Sequence, residues 1–422
     1  MTQKLTGKHI AVLLGIIISI FTYFSLGLTC LSLYVVPVSN ELGIDRTAMS
    51  SMFTVAAAIP IPLSLFSFKI FKMLKMRTLY ILGGIINAIG FYIMSISTTV
   101  TVLYIGAFIM GFGVFANGYL TGGALLTQWF DKNRGLVMGI IGAAAGVGSL
   151  VFSPIIASII DSQGYQFALL VSAIIVGVSV TFSGIFLIKD KPSDYGLKAY
   201  GQSLDQNFGD QSFAAKPGAN IPGLSLAEAK KLPLFYFVIV CGFMITTLGQ
   251  GVSTQQSAMI MDKGFTLVQA SYALSIYSLA NTLNKILSGV IIDKFGLKAL
   301  ISYCGVGLVA ACLIIMFATS YPAMIAFAIL ACLWSAMSVS FTIMANTFLF
   351  ERKEIGAIQG FTQVAQSLGA MTGPILAGLC FSIKGTYSLW LVITIVAVVA
   401  LIGIVFYVLQ DKNSYVNTSK KA

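Results

Sequence analysis

Long apolar stretches follow one another along almost the whole chain, and short polar or glycine-containing segments separate them. A helix needs about 20 residues, with a rise of about 1.5 Å each, to cross a hydrocarbon core of about 30 Å. The pattern predicts twelve such helices, near residues 9–37, 46–71, 78–98, 102–129, 135–160, 165–188, 233–261, 266–292, 297–319, 321–348, 356–383 and 386–409. The first stretch is too long for a signal peptide and has no small-residue cleavage site, so we expect it to be retained. Because lipid offers no partner for backbone polar groups, these stretches predict an all-α integral membrane protein.

The composition favours the same class of protein. Hydrophobic residues make up 57% of the 422 positions and charged residues only 9%, whereas a typical soluble domain has about 25% charged residues. One histidine and no cluster of carboxylates argue against a metal site, and we predict no cofactor. No nucleophile–base pair and no Gly-x-x-x-x-Gly-Lys-Ser/Thr loop is visible, so neither an enzyme nor a nucleotide-driven pump is expected.

The basic residues predict the orientation in the membrane. With a cytoplasmic N-terminus, the inner segments hold 21 of the 25 Lys and Arg residues, and the outer loops hold only Arg46, Lys263 and Lys384. Basic residues accumulate on the cytoplasmic side of membrane proteins. We therefore predict a multi-pass protein of the cell membrane with both termini in the cytoplasm. The net charge of +11 then follows from topology, and no nucleic-acid partner is expected.

A polar stretch divides the predicted spans into two groups of six. The two groups align at one constant offset in the pairs Gly43 and Gly264, Ser50 and Ser271, Gly135 and Gly356, Gly139 and Gly360, and Gly148 and Gly369. Two homologous halves with a site near mid-membrane are typical of secondary transporters. The predicted organisation is an N-terminal six-helix half (1–188), a cytoplasmic linker (189–232), a C-terminal six-helix half (233–409) and a cytoplasmic tail (410–422).

One charged residue lies well inside a predicted span. Lys285 precedes Asp293, near the end of the eighth span, by eight residues, or about 12 Å of helix. A lysine at a span centre costs about 2.5–3.5 kcal/mol on insertion scales, and such residues usually face a cavity and mark function. Asn281 lies one turn earlier on the same helix face. The pair predicts a site for a carboxylate; alternatively, Lys285 extends to the membrane surface and binds nothing.

Two motifs resemble a known family. The loop after the eighth span contains a glycine, acidic and basic pattern that resembles the loop signature of the major facilitator superfamily: Gly289, Asp293, Lys294, Gly296 and Lys298. The segment from Trp129 to Leu136, with the glycines that follow it, resembles the oxalate/formate antiporter and monocarboxylate transporter group. The resemblance implies the major facilitator fold, with twelve transmembrane helices in two pseudo-symmetric halves. It also implies gating roles for the loop residues and for Arg134.

The resemblance implies further residues of a substrate site. Lys285 stands where related carriers have a substrate-binding arginine, and Asn281 where proton-coupled members have an aspartate. Thr362 stands where oxalate carriers have a lysine, and a single cation favours a monoanion. The other implied substrate-binding residues are Tyr34, Tyr119, Gln250, Trp334, Gln359 and Gln363. Packing is the competing role for the aromatic residues, and hydrogen bonding between helices is the competing role for the amides.

Together these features predict a secondary active transporter of a small organic anion, a monocarboxylate, that works by alternating access as a monomer. Exchange and proton-linked symport both remain open. In symport, protonation of Lys285 and binding of the anion would favour each other. The expected partners are the anion, the lipid bilayer and, for symport, protons. Two alternatives stay open: an exporter of amphipathic drugs or larger organic anions, and a ligand sensor on a transporter fold.

Overall fold

The computed structural model describes residues 3–202, 226–350 and 355–410, and these are almost entirely helical. The α-helices are α1 (Gly7–Ser19), α2 (Val35–Leu42), α3 (Arg46–Ala58), α4 (Pro60–Leu65), α5 (Ser67–Met73), α6 (Met76–Ser95), α7 (Val100–Asn117), α8 (Tyr119–Trp129), α9 (Arg134–Phe182), α10 (Leu226–Ala229), α11 (Pro233–Ser253), α12 (Gln256–Met261), α13 (Leu267–Phe317), α14 (Tyr321–Phe350), α15 (Ile355–Lys384) and α16 (Ser388–Gln410). The prediction of an all-α fold is confirmed for these residues.

Nine helices in the described part of the chain are long and apolar enough to cross a membrane. One of them, Leu136–Leu187, has 52 residues, which at about 1.5 Å each suffices for two crossings. Gly164, with φ of 84°, divides it within α9. Gly296, with φ of 77°, divides α13 in the same way. The count of twelve spans remains a prediction.

The first span is irregular along much of its length. After α1 the chain is π-helical over Ile20–Thr29 and 3₁₀-helical over Cys30–Tyr34 before α2 begins. In the second group of spans, Thr254 and Gln255 interrupt the helix between α11 and α12, and the offset between the two groups places these positions opposite the end of the 3₁₀ segment. π-Helical segments occur frequently at functional sites. Interrupted helices at corresponding positions of two repeats indicate where a transporter binds its substrate.

Glycine turns confirm the internal repeat at two places. Gly43 and Gly264 both have positive φ, at 60° and 88°, and so do Gly164 and Gly385, at 84° and 65°. Both pairs have the same separation along the chain, which is the offset between the two groups of spans. Residues with a side chain rarely adopt this conformation, so the turns explain why glycine occupies these four positions. The pair Gly164 and Gly385 was not among the predicted matches.

The chain forms two compact units. Unit 1 comprises Met1–Ile44 with Met52–Ala219, and unit 2 comprises Asp45–Ser51 with Asn220–Ala422. In unit 1 a buried core around Trp129, Tyr80 and Ile16 joins α1, α6 and α8. In unit 2, α13 packs against α14, and α11 packs against α15. The short segment Asp45–Ser51 therefore belongs to unit 2, although its neighbours in the chain belong to unit 1.

The start of the predicted linker is ordered against unit 1. The Tyr200 amide donates to the Trp129 carbonyl at 2.8 Å, and the Gln3 amide donates to the Gln202 carbonyl at 2.9 Å. Buried His9 donates from Nε2 to the Lys198 carbonyl at 3.1 Å, because a carbonyl oxygen only accepts. Residues up to Gln202 are thus part of unit 1, although the predicted linker begins at residue 189.

We expect opposite effects from alanine at two glycines of α9. A Cβ atom at Gly148 would collide with the backbone carbonyl of Phe21, whereas a Cβ atom at Gly139 would meet nothing within 4 Å. Gly148→Ala should therefore lower stability by about 1–3 kcal/mol, the usual cost of overpacking. Gly139→Ala should be neutral or stabilising by up to about 1 kcal/mol through helix propensity. Thermal unfolding of both variants in detergent measures this; equal melting temperatures would contradict the prediction.

Candidate functional site

One face of α13 carries a stripe of exposed apolar residues, and Lys285 lies on a different face. The stripe consists of Leu279, Leu283, Ile286 and Val290. At about 100° per residue, Lys285 lies about 130° around the helix from the middle of this stripe and Asn281 about 170°. Both residues therefore point away from the side that is suited to contact lipid. Lys285 is nevertheless exposed, and Asn281 is half-buried.

The Lys285 ammonium makes no hydrogen bond or ion pair with any side chain or carbonyl in the described ranges. Its α13 neighbours on the apolar stripe offer it no partner. A cation inside a membrane protein normally pairs with an anion or a backbone carbonyl. An unpaired ammonium that is accessible on a non-lipid face is thus suited to accept an anionic ligand.

Two amides on α13 join this face to α14. Ser335 of α14 places its Oγ 2.6 Å from Oδ1 of Asn281. Asn284 donates from Nδ2 to the carbonyls of Cys332 and Leu333 at 3.2 and 3.1 Å. The Tyr303 hydroxyl donates to Oδ1 of Asn284 at 3.2 Å. Helix α13 is therefore fixed to α14 at two positions just before Lys285, which is the kind of support that a precise binding site requires.

The other predicted substrate residues of unit 2 differ in their surroundings. Trp334 is 1% exposed, and its indole N–H donates to the Ile245 carbonyl at 2.8 Å, so its polar group is already used. Gln250 is half-buried and Gln363 is exposed. The Gln359 side chain lies outside the described residues. The structure joins Asn281 and Ser335 through a direct contact, but it shows no hydrogen bond from Lys285 to the other described candidates.

The predicted substrate residues of unit 1 lie along the irregular first span and α8. Tyr34 ends the 3₁₀ segment and is 1% exposed. Tyr119 is half-buried, with its ring centroid 4.9 Å from that of Phe24, and its hydroxyl has no partner in the described part of the chain. Tyr119 therefore keeps one unused polar group next to the π-helical segment.

The loop motif forms a turn within α13. Gly296 has φ of 77° and carries the turn itself. Lys294 is exposed, and the Lys298 ammonium lies 5.6 Å from the ring centroid of Phe406 on α16. A Cβ atom at Gly289 would meet nothing within 4 Å, so close packing does not require this glycine here. The side chains of Arg134 and Asp293 lie outside the described residues.

The sequence did not predict a polar network in unit 2, which we name the Arg46 cluster: Asp45, Arg46, Ser50, Gln255, Asp262, Ser382 and Tyr387. The Arg46 guanidinium binds both carboxylate oxygens of Asp262, at 2.7 and 2.6 Å. It also lies 3.9 Å from the ring centroid of Phe381. Such two-pronged pairs are stronger than single hydrogen bonds and fix the orientation of both groups. The only signal for this ion pair in the sequence was the presence of a basic residue and an acidic residue in different predicted outer loops.

Side-chain hydrogen bonds extend the Arg46 cluster. The Ser382 hydroxyl lies 2.6 Å from both oxygens of Asp45. Buried Gln255 donates to the Ser50 hydroxyl at 2.7 Å and accepts from the Tyr387 hydroxyl at 2.9 Å. Partial burial would raise the pKa of Asp45, but hydrogen bonds from Ser382 and Thr47 to the charged form outweigh it and lower the pKa. The cluster holds Asp45–Ser51 within unit 2.

The sequence profile of the Major Facilitator Superfamily matches residues 15–255 and 238–422. The chain belongs to this superfamily, a class of membrane transporters, in agreement with the two resembling motifs and the all-α fold. The solved structure of the nucleoside transporter NupG superposes with a TM-score of 0.72 at 13% sequence identity, over 94% of this chain and 99% of that one. At this identity the likeness shows the fold alone.

Two sequence relatives are named after carboxylates. The oxalate:formate antiporter of Oxalobacter formigenes is 26% identical over 249 residues, which cover 55% of this chain and 58% of the antiporter. Monocarboxylate transporter 12-B of Danio rerio is 22% identical over 336 residues, which cover 75% of this chain and 69% of that protein. The chain spans about half to three fifths of the length of several other curated relatives.

Proposed function

We propose that the protein is a secondary active transporter of a small organic anion, a monocarboxylate, that works by alternating access. Lys285 and Asn281 would bind the carboxylate, with Lys285 supplying the charge. Membership of a superfamily of membrane transporters supports the transport function; the substrate class is our inference. The protein would lie in the cell membrane with both termini in the cytoplasm.

The observation that carries the proposal is the unpaired Lys285 ammonium on the non-lipid face of α13. Holding a charge within a membrane span without a partner is costly, and an arriving carboxylate removes part of that cost. A lysine is a point charge rather than a two-pronged fork, so it binds a carboxylate without fixing its plane. This arrangement suits a small ligand that is recognised chiefly by its charge.

A monoanion fits the charges of the site better than a dianion. One ammonium balances one carboxylate, and the position on α15 where the resemblance implies a second cation holds the buried Thr362. The names of the antiporter and of the monocarboxylate transporter add support, since they concern small carboxylates. A second carboxylate would enter without a compensating charge from these two positions.

Reconstituted protein tests the proposal. Uptake of labelled formate, lactate, oxalate and a bulky aromatic acid should be measured in proteoliposomes, with and without a pH gradient and with and without internal anion. We expect formate or lactate to be taken up and oxalate to be poor. Stimulation by internal anion alone would indicate exchange, and stimulation by an inward proton gradient would indicate symport. Uptake of only the aromatic acid would favour the exporter, and saturable binding without uptake would favour a sensor.

A further inference from the structure

We infer that Ser335 is a positioning residue that makes the site selective for anions, because it turns the Asn281 amide so that its NH₂ group lies free beside Lys285. This inference rests on the proposed function and deepens it. It concerns only the contact between α13 and α14 within unit 2, where Ser335 Oγ lies 2.6 Å from Asn281 Oδ1.

The Ser335 hydroxyl has one proton and two acceptors within reach. Ser335 Oγ lies 2.6 Å from Asn281 Oδ1 and 2.7 Å from the Cys332 carbonyl, but a hydroxyl has only one proton to donate. The Cys332 carbonyl already accepts from Asn284 Nδ2 at 3.2 Å. Asn281 Oδ1 has no other donor in the described part of the chain. A carbonyl oxygen can accept two hydrogen bonds, so Cys332 stays available to Ser335. Asn281 Oδ1 is the nearer of the two acceptors and has no other donor among the described residues, and we assign the Ser335 proton to it.

The hydrogen bond from Ser335 sets the orientation of the Asn281 amide. A side-chain amide has an oxygen that only accepts and an NH₂ group that only donates. With Oδ1 held by Ser335, the NH₂ group points to the other side, and no described residue accepts from it. Without Ser335, the amide could rotate by half a turn and present its oxygen to the Lys285 ammonium one turn away.

This orientation of the Asn281 amide favours an anionic ligand. Lys285 offers three N–H groups and Asn281 offers two, so their shared face consists of donors alone. A carboxylate accepts from both residues, and hydrogen bonds to a charged acceptor are about twice as strong as neutral ones. An uncharged amide of the same shape gains less, and an amine is repelled. A rotated Asn281 would lose this discrimination and would occupy the ammonium itself.

The competing explanation is that Ser335 merely joins two helices. Ser288 provides a matched control, because its buried hydroxyl donates to the Lys285 carbonyl at 3.0 Å. That bond lies within α13 and contacts neither the Lys285 ammonium nor the Asn281 amide. Ser288→Ala thus removes a hydroxyl from α13, the helix that carries Lys285 and Asn281, without altering the donors of the site. Ser335→Thr keeps the hydroxyl and serves as the rescue.

The test compares formate and lactate with their uncharged amides, formamide and lactamide, as inhibitors of labelled formate or lactate uptake. Ser335→Ala should raise the KM for the carboxylate about tenfold with little change in kcat, in line with the loss of one charge-assisted hydrogen bond. The preference for carboxylate over amide should fall with it. Ser335→Thr should restore both, and Ser288→Ala should leave both unchanged.

Different outcomes separate the two proposals. Wild-type KM and selectivity in Ser335→Ala would overturn the positioning role alone, and so would an equal rise of KM in Ser288→Ala. A fall of kcat and KM together, without a change in selectivity, would assign Ser335 to helix packing and would also overturn the positioning role. Failure of the wild-type protein to transport or bind any of these carboxylates would overturn the proposed function, and the role of Ser335 would fall with it.

Discussion

Replacement of Lys285 by glutamine should abolish carboxylate uptake at concentrations near the wild-type KM, whereas Lys285→Arg should retain part of it. Glutamine keeps the polarity of the side chain but removes the charge that the anion requires. A hydrogen bond to a charged group contributes about 1.5–3 kcal/mol, so affinity should fall by roughly 10- to 150-fold. Arginine restores the charge with a different geometry. Initial rates of formate and lactate uptake in proteoliposomes, over a range of concentrations, give the effect on KM and kcat.

Lys384 is the matched control for the loss of one positive charge. It is exposed at the end of α15 and lies in a loop that is predicted to be on the outer side. Lys384→Gln changes the net charge by the same amount and should transport normally. If Lys285→Gln transports carboxylates as well as Lys384→Gln does, the site is elsewhere and the proposed mechanism is wrong.

Loss of the Arg46–Asp262 pair should loosen the segment Asp45–Ser51. Arg46→Gln removes the charge, both hydrogen bonds to Asp262 and the contact with Phe381, whereas Asp262→Asn removes the charge and leaves one oxygen that can still accept. Exposed ion pairs contribute about 0–1 kcal/mol, and this pair is two-pronged and only 14% and 30% exposed, so we expect about 1–2 kcal/mol. Hydrogen exchange of the amides in 45–51 should become about five- to thirty-fold faster. The double variant should exchange no faster than the Arg46→Gln variant, because both lack the ion pair and the contact with Phe381.

The Arg46 cluster should respond to salt and not to mild acid. Because the pKa of Asp45 lies below its ordinary value of 3.8, its contribution is complete above that value. The contribution is lost only as the pH falls through the lowered pKa. The protection factors of the 45–51 amides, which are the intrinsic exchange rates at each pH divided by the observed rates, should thus change little between pH 7 and pH 5. They should fall in high salt, which screens exposed charges. A marked loss of protection at pH 5 with no effect of salt would contradict this explanation.

Much of the fold follows from local patterns in the sequence. Apolar stretches and turn residues locate the helices, because each depends on its own residues. Gly43 and Gly264 mark equivalent turns because only glycine adopts their φ values without strain. The same physical rule applies to Gly164 and Gly385, whose identical spacing could have revealed the second pair of turns. The π-helical part of the first span has no such local signal, since it depends on how the helix packs.

The candidate site was only partly predictable. Lys285 and Asn281 stand out because a charge in an apolar stretch is costly and helix geometry places the two on one face. Ser335 could not be found in this way: serine is common in membrane helices, and its contact depends on the rotation of α14 against α13. The pair Arg46 and Asp262 joins residues 216 positions apart, so its formation depends on tertiary structure.

The backbone of Gln3 pairs with that of residues 201 and 202, because the Gln3 amide donates to the Gln202 carbonyl at 2.9 Å and the Gly201 amide donates to the Gln3 carbonyl at 3.0 Å. The first and the last residues that the structure describes in unit 1 therefore lie side by side. A fusion partner placed directly before Gln3 would compete with residues 201 and 202 for the same space, so a tag at that end should weaken this pairing.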